Sequence, residues 1–265
     1  MKDYLVAFDS DGCVFDAMEI KHRRAFGPAA VRVYGLQCVE REFLEQWYYI
    51  NLYSKTRGIN RFPGLAAAMD RMRGLGYDVK PQESLRRWCN QTVKLSAARL
   101  KEDAERSGDP ELMRALAYSD EVNRLIGENA HSIPVFKNVK STFDIIKESA
   151  DIAVVSSANT AAIEREWREN GLLDYICAFY GQESGNKKDC LALLRGRGYK
   201  SVLMVGDAPG DMQAAEAGGC LFYPIIPGDE EKSWICLRDM AFFEFLAGRY
   251  ANENRYIAQF NAVCR

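Results

Sequence analysis

Apolar and polar positions follow three regimes along the chain. A short apolar run, Tyr4 to Phe8, stops abruptly at Asp9, and its β-forming residues fit a strand buried on both faces. From about Met18 to Ala130 the strand signals give way to apolar residues at helical spacing. These are Phe43, Trp47 and Ile50, then Leu65, Met69 and Met72, then Leu85, Trp88, Cys89 and Val93, then Leu112, Ala115 and Leu116 with Val122 and Ile126. Breaks at Gly58, Pro63-Gly64, Gly74 to Gly76, Pro81 and Gly108 to Pro110 separate the predicted helices. After Ser132-Ile133-Pro134 the pattern alternates: helices over 139–147, 161–170, 189–195 and 212–217 interleave with strands over 152–155, 176–180, 201–205 and 220–223. From Asp229 onward it is helical again, and Tyr256, Phe260 and Val263 form a face expected to dock on the chain's own core.

Alternating helices and strands predict an α/β fold, a doubly wound, Rossmann-like parallel sheet, and the long helical block predicts an inserted all-α domain. The expected boundaries are 1–16 and 133–228 for the core, 17–132 for the insert and 229–265 for a C-terminal helical extension packed on the core.

Composition narrows the function. Lys and Arg number 35 against 37 Asp and Glu, a net charge of -2, which gives no general attraction to nucleic acid or an anionic membrane. The eight cysteines are scattered without a C-x-x-C pair and there are two histidines, so a zinc site is not expected, and reduced thiols fit a cytoplasmic protein. Strand-like residues begin at Tyr4, leaving no room for a signal peptide, and no apolar run approaches the ~18 residues of a membrane span. The expected partner is a small molecule, and the chain is expected to be a monomer or homodimer.

Parallel sheets open ligand sites at the carboxyl ends of their strands. There the sequence places Asp9, Asp11 and Gly12 after the first strand, Ser156, Ser157 and Asn159 after the second, and Gly206-Asp207 through Asp211 after the fourth. Gly185-Asn186-Lys187-Lys188 opens the intervening helix. Side chains two apart on a strand share a face, so Asp9 and Asp11 can converge on one cation. Four acidic groups, hydroxyl and N–H donors and a lysine are the parts of a magnesium-assisted reaction on a phosphate. Lys187 is preferred as the lysine because it opens the helix, and Lys188 stays open as the alternative.

At these residues the chain resembles the haloacid dehalogenase superfamily, in its phosphatase-like branch. Asp9-Ser10-Asp11-Gly12-Cys13-Val14-Phe15-Asp16 matches the first motif, Ser156 the second, a lysine at 187 or 188 the third, and Gly206-Asp207 with Asp211 the fourth. The resemblance implies that Asp9 attacks phosphorus to form an aspartyl-phosphate and that Asp11 protonates the leaving oxygen and later activates water. It implies Mg²⁺ held by Asp9, the Asp11 carbonyl, Asp207 and Asp211, with Ser156 and Lys187 on the phosphoryl oxygens. Gly12, Ser157 and Asn159 are further candidate substrate contacts, and a helix N-cap at Ser156, Ser157, Asn159 or Thr160 is the alternative reading there. Asp16 reads as a helix cap and stays outside the catalytic set.

The insert sits where that family carries a helical cap and is longer than the usual compact one. Across Lys55 to Arg106 it holds 12 Lys or Arg against 6 Asp or Glu, and Ser54 to Pro63 reads as an anion-reading loop with Arg57, Asn60 and Arg61 as substrate contacts. His22 reads as packing on an amphipathic helix, with help to the leaving group as the alternative. The expected function is Mg²⁺-dependent hydrolysis of a small phosphorylated metabolite. The alternatives are a phosphomutase of the β-phosphoglucomutase type and a non-catalytic phosphate-metabolite-binding protein.

Overall fold

The structure is a computed structural model that describes residues 1–93, 95–129, 133–251 and 255–264. The chain divides into two compact units, Met1–Ala17 with Pro134–Arg265, and Met18–Ile133. The sequence boundary at Ser132 lies outside the described residues, and the C-terminal extension belongs to the first unit.

In the first unit β1 is Tyr4–Phe8. The second unit follows, with α1 (Met18–Lys21), a π-helical turn over His22–Phe26, α2 (Gly27–Tyr34), α3 (Glu40–Leu52), α4 (Arg61–Gly74), α5 (Glu83–Gln91), α6 (Ala97–Ser107) and α7 (Pro110–Asn129). The chain returns to the first unit through α8 (Val139–Ser149), β2 (Ala150–Val155), α9 (Thr160–Glu169), β3 (Ile176–Tyr180), α10 (Lys187–Arg195), β4 (Ser201–Gly206), α11 (Pro209–Ala217) and β5 (Leu221–Pro224). It ends with α12 (Glu230–Cys236), α13 (Phe242–Leu246) and α14 (Arg255–Val263).

The sheet is parallel throughout in the order β3-β2-β1-β4-β5. Its strands read as unbroken apolar runs because both faces are covered. Leu5, Ala7, Val155, Met204 and Phe222 pack on one side with Leu191, Leu194 and Phe260. On the other, Phe8 meets Phe143 at 4.9 Å and Trp234 at 5.6 Å between ring centroids. The register pairs Phe8 with Val154 on one side and Val205 on the other, so β2 and β4 run one residue past β1, and the residues that follow the three central strands, Asp9, Ser156 and Asp207, emerge at the same edge.

The helical unit buries the predicted stripes around Phe43, Trp47, Leu65, Met69, Leu85 and Trp88. Two apolar positions depart from expectation for geometric reasons. Val93 is 98% exposed because α5 stops at Gln91, and Val263, in the last turn of α14, is exposed although Tyr256 and Phe260 are buried. Pro63 does not break a helix. It lies in the first turn of α4, where its missing N–H costs nothing. Among the described residues no helix is long and apolar enough to cross a membrane.

Candidate active site

The loop after β1 is wound tightly. The Asp9 N–H donates to the Val205 carbonyl at 2.9 Å, carrying the β1–β4 ladder one residue beyond the strand. Gly12 then takes φ 82°, in the left-handed region that favours glycine, and donates to the Phe15 carbonyl at 2.8 Å. The N–H groups of Val14 and Phe15 both return to the Ser10 carbonyl at 3.0 Å. The Ser10 hydroxyl, fully buried, accepts the Trp167 indole N–H at 3.1 Å, and the Cys13 thiol donates to the Val205 carbonyl at 3.5 Å. Asp9 is thereby held buried at the sheet edge while Asp11 is half-buried.

The end of β4 supplies the facing carboxylates. Asp211 sits in the first turn of α11, where its Oδ2 accepts the Ala208 N–H at 3.1 Å, a favourable place for an anion at a helix start. Gly206 lets it approach: a Cβ there would stand 2.6 Å from the Asp211 Cβ. Lys187 opens α10 behind its Asn186 cap and reaches across to Asp9 Oδ2 at 2.8 Å and Asp211 Oδ1 at 2.5 Å. Lys188, one residue on, is exposed. Of the two lysines that the sequence left open, Lys187 is therefore the one at the carboxylates. One oxygen from each of Asp9, Asp207 and Asp211 lies within 4.8 Å of the others, and all three residues are buried.

The charges in this cluster act on one another strongly. Burial alone would lower the Lys187 ammonium, but Asp211 and Asp9 outweigh it and hold the group well above the ordinary lysine range. For Asp9, burial pushes the carboxyl up, Lys187 pulls it down, and Asp211 and Asp207 push it up again, leaving it at about 7. Three carboxylates against one ammonium leave a deficit of two positive charges, which is the charge of one divalent cation. A buried all-oxygen donor set of this kind fits a hard cation such as Mg²⁺.

Ser156 follows β2 directly, with its N–H on the Tyr180 carbonyl at 2.9 Å, and its hydroxyl accepts the Ala158 N–H at 3.2 Å. Ser157 is exposed. Asn159 has structural work at both ends of its amide. Its Oδ1 caps α9 at the Ala162 N–H (3.1 Å), and its Nδ2 donates to Glu183 at 2.5 Å.

The candidates in the helical unit separate in a similar way. Arg57 is buried and donates to the Leu52 carbonyl at 2.9 Å. Asn60 caps α4 at the Phe62 N–H (3.0 Å) and donates to the Leu95 carbonyl at 2.9 Å. Arg61 is not in a loop, as the sequence reading has it, but at the first position of α4. Its guanidinium lies 5.2 Å from the Phe26 ring centroid and donates to the Ser119 carbonyl (3.3 Å), the Ser119 hydroxyl (3.2 Å) and Asn123 Oδ1 (2.8 Å), all neutral acceptors. A cavity of about 840 Å³ beside α3, lined by Arg23, Tyr48, Tyr49 and Tyr53 among others, contains none of the candidate residues.

His22 is buried at the start of the π-helical turn, stacked on Phe26 at 4.7 Å, and its Nδ1 accepts the Trp47 indole N–H at 3.1 Å. Packing is therefore the role that the structure gives it. Burial, with Arg57, Arg61 and Lys21 adding, lowers its pKa from 6.5 to about 3. A folded pKa below the unfolded one stabilises the fold above pH 6.5 and is lost as pH falls towards 3. Acidification from pH 7 to 5 is expected to cost the protein about 2 kcal/mol through this residue. His22→Asn keeps an acceptor for Trp47 without titrating, so urea unfolding at the two pH values should show that part of the pH dependence removed.

A family model described as haloacid dehalogenase-like hydrolase matches residues 61–224, which include Ser156, Lys187, Asp207 and Asp211. No curated protein matches the sequence. Among solved structures, one described as a predicted phosphoglycolate phosphatase from Haemophilus somnus aligns with TM-score 0.54 at 18% identity, over 88% of this chain and 92% of that one. A β-phosphoglucomutase from an archaeal Pyrococcus species aligns with TM-score 0.53 at 18% identity, over 83% and 86%. A haloacid dehalogenase-like family protein from Streptococcus pneumoniae aligns with TM-score 0.51 at 15% identity, over 93% and 98%. At these identities the likeness is one of fold.

Proposed function

Because the chain belongs to the haloacid dehalogenase-like hydrolase family, we propose that it hydrolyses a phosphomonoester of a small metabolite with the help of Mg²⁺. The observation that carries this reading is the cluster in which Lys187 joins Asp9 to Asp211 beside Asp207. Asp9 is the nucleophile: its Oδ atoms stand at the sheet edge, and a carboxylate attacking phosphorus divides one displacement into two. Asp11, half-buried on the same loop, has the access to solvent that a proton carrier needs. It gives a proton to the leaving oxygen and takes one from the water that opens the aspartyl-phosphate. Lys187 and the Ser156 hydroxyl hold the phosphoryl oxygens, where charge is spread during transfer, whereas the Gly12 N–H is engaged by the Phe15 carbonyl and serves the turn instead. Asp9, Asp207, Asp211 and the Asp11 carbonyl would hold Mg²⁺, which when bound supplies Lewis-acid neutralisation of the phosphoryl charge.

Arg61 is the residue of the helical unit that we assign to a second anionic group of the substrate. Arg61 is half-buried; burial lowers the guanidinium's pKa against the opposing pull of Tyr118 and Asp120, and none of its three hydrogen bonds goes to a carboxylate. A partly desolvated guanidinium bonded to neutral acceptors gains from an oxyanion.

The test is phosphate release from phosphorylated sugars, hydroxy acids, nucleotides and an aryl phosphate, with Mg²⁺ and with chelator. Chelator-sensitive release is expected. Arg61→Lys is expected to raise KM about tenfold for substrates with a second anionic group, while leaving the aryl phosphate unaffected. No release from any ester would overturn the hydrolase reading, and turnover that requires a sugar bisphosphate would move it to a mutase.

A further inference from the structure

The loop that carries Asp9 and Asp11 is anchored from the far end of the chain. Trp234, in α12, is fully buried and donates its indole N–H to the Cys13 carbonyl at 3.0 Å. Its ring stacks on Phe8, the residue immediately before Asp9, with centroids 5.6 Å apart and planes 12° from parallel. The helix is itself fixed beneath that contact. The Tyr223 hydroxyl donates to the Ser233 carbonyl at 2.7 Å, and the Ser233 hydroxyl accepts the Ile226 N–H at 3.0 Å.

We propose that Trp234 is a positioning residue for the Asp9–Asp16 loop. A carbonyl pointing into an apolar interior needs a donor. The Cys13 carbonyl finds one in a side chain more than two hundred residues downstream, so the course of the loop between Gly12 and Phe15 depends on where α12 is docked. Trp167 does the same on the Ser10 side through its indole bond to the Ser10 hydroxyl. Two rigid indoles, from different helices, thus grip the loop on either side of Asp11. The C-terminal segment thereby acquires a part in the site that its apolar pattern alone does not reveal. Trp234 touches no reacting atom in this account. It acts through the backbone of the loop, and its kinetic consequence rests on the functional reading above, whereas its structural consequence does not.

Trp234→Phe keeps a ring against Phe8 and removes the donor. Hydrogen exchange of the full-length protein should then show the Gly12, Val14 and Phe15 amides, bonded within the loop, exchanging at least tenfold faster, with β2 and β4 amides unchanged. With an aryl phosphate and Mg²⁺, kcat should fall about tenfold at unchanged KM. The control is Phe245→Leu, a fully buried position of α13 packed on Tyr4 at 5.4 Å, which should lower the melting temperature without changing either loop exchange or kcat. Should Trp234→Phe not fold, Tyr223→Phe loosens the seat of α12 and should produce a smaller change of the same sign. Unchanged loop exchange in the folded variants, or an equal change in Phe245→Leu, would overturn the proposal. Absence of phosphate release from wild type would overturn the function reading alone, because loop exchange still decides whether Trp234 holds the loop.

Discussion

Replacing Asp9 by asparagine is expected to abolish turnover and to stabilise the metal-free protein at the same time. The loss of rate follows from removing the nucleophile: an amide cannot form the aspartyl-phosphate, and a fall of about 10⁴-fold or more is expected. The gain in stability follows from electrostatics. In the metal-free protein the Asp9 carboxyl is raised to about 7, by burial first and by Asp211 and Asp207 after it, against the pull of Lys187. A folded pKa above the unfolded value favours the fold below about pH 4, and that contribution disappears as pH rises through 7. Asparagine escapes the penalty and can still accept from Lys187, so at pH 8 the variant should exceed wild type by roughly 2 kcal/mol in the absence of metal. The difference should shrink towards pH 4. Urea unfolding of both proteins at pH 4, 6 and 8 in chelator, paired with phosphate release in Mg²⁺, checks both halves. A variant less stable than wild type at pH 8 would mean that the Lys187 contact outweighs the crowding of carboxylates.

Much of this arrangement is legible in the sequence, for reasons of periodicity. Strands covered on both faces read as apolar runs, and each run here ends in the residue that the sheet presents at its edge: Phe8 in Asp9, Val155 in Ser156, Gly206 in Asp207. Such local signals place residues on elements but do not aim side chains. Lys187 and Lys188 are equivalent in composition, and only the start of α10 at Lys187 turns one towards Asp9 and leaves the other in solvent. Asn60 reads as a ligand-binding amide, and Asn159 as either that or a cap, because a helix cap and a phosphate contact use the same residue type near a helix start. The structure gives both of them capping bonds. Arg61 reads as part of a loop because Pro63-Gly64 resembles a break, although proline is accommodated in a first helical turn. Trp234 and Trp167 were indistinguishable from ordinary core residues, since a hydrophobic stripe does not record where an indole N–H will point.

Replacing Lys187 by methionine should be the most damaging single change for the fold of the site, and Lys188→Met should be silent. Methionine keeps most of the buried stem but removes the ammonium that neutralises Asp9 and Asp211 at 2.8 and 2.5 Å. Breaking a buried pair from one side leaves charge without compensation, at a cost of about 3 kcal/mol. Because Lys187 lowers the Asp9 pKa, its loss drives that pKa further up. The instability should therefore grow as pH rises from about 4 through 7, the sense in which ionised Asp9 becomes harder to keep buried. Mg²⁺ can replace the missing charge on the carboxylates but not the phosphoryl contact. Stability should thus recover by about 2.7 kcal/mol at a hundredfold excess over Kd, while kcat stays down by about 10²- to 10³-fold. Lys188→Met, at an exposed position, should change stability by no more than about 0.5 kcal/mol and leave the rate alone. Thermal unfolding with and without Mg²⁺, alongside phosphate release, separates the two lysines, and a larger loss from Lys188→Met would reverse the assignment. Full recovery of rate by Mg²⁺ in Lys187→Met would limit the lysine to holding the empty carboxylates together.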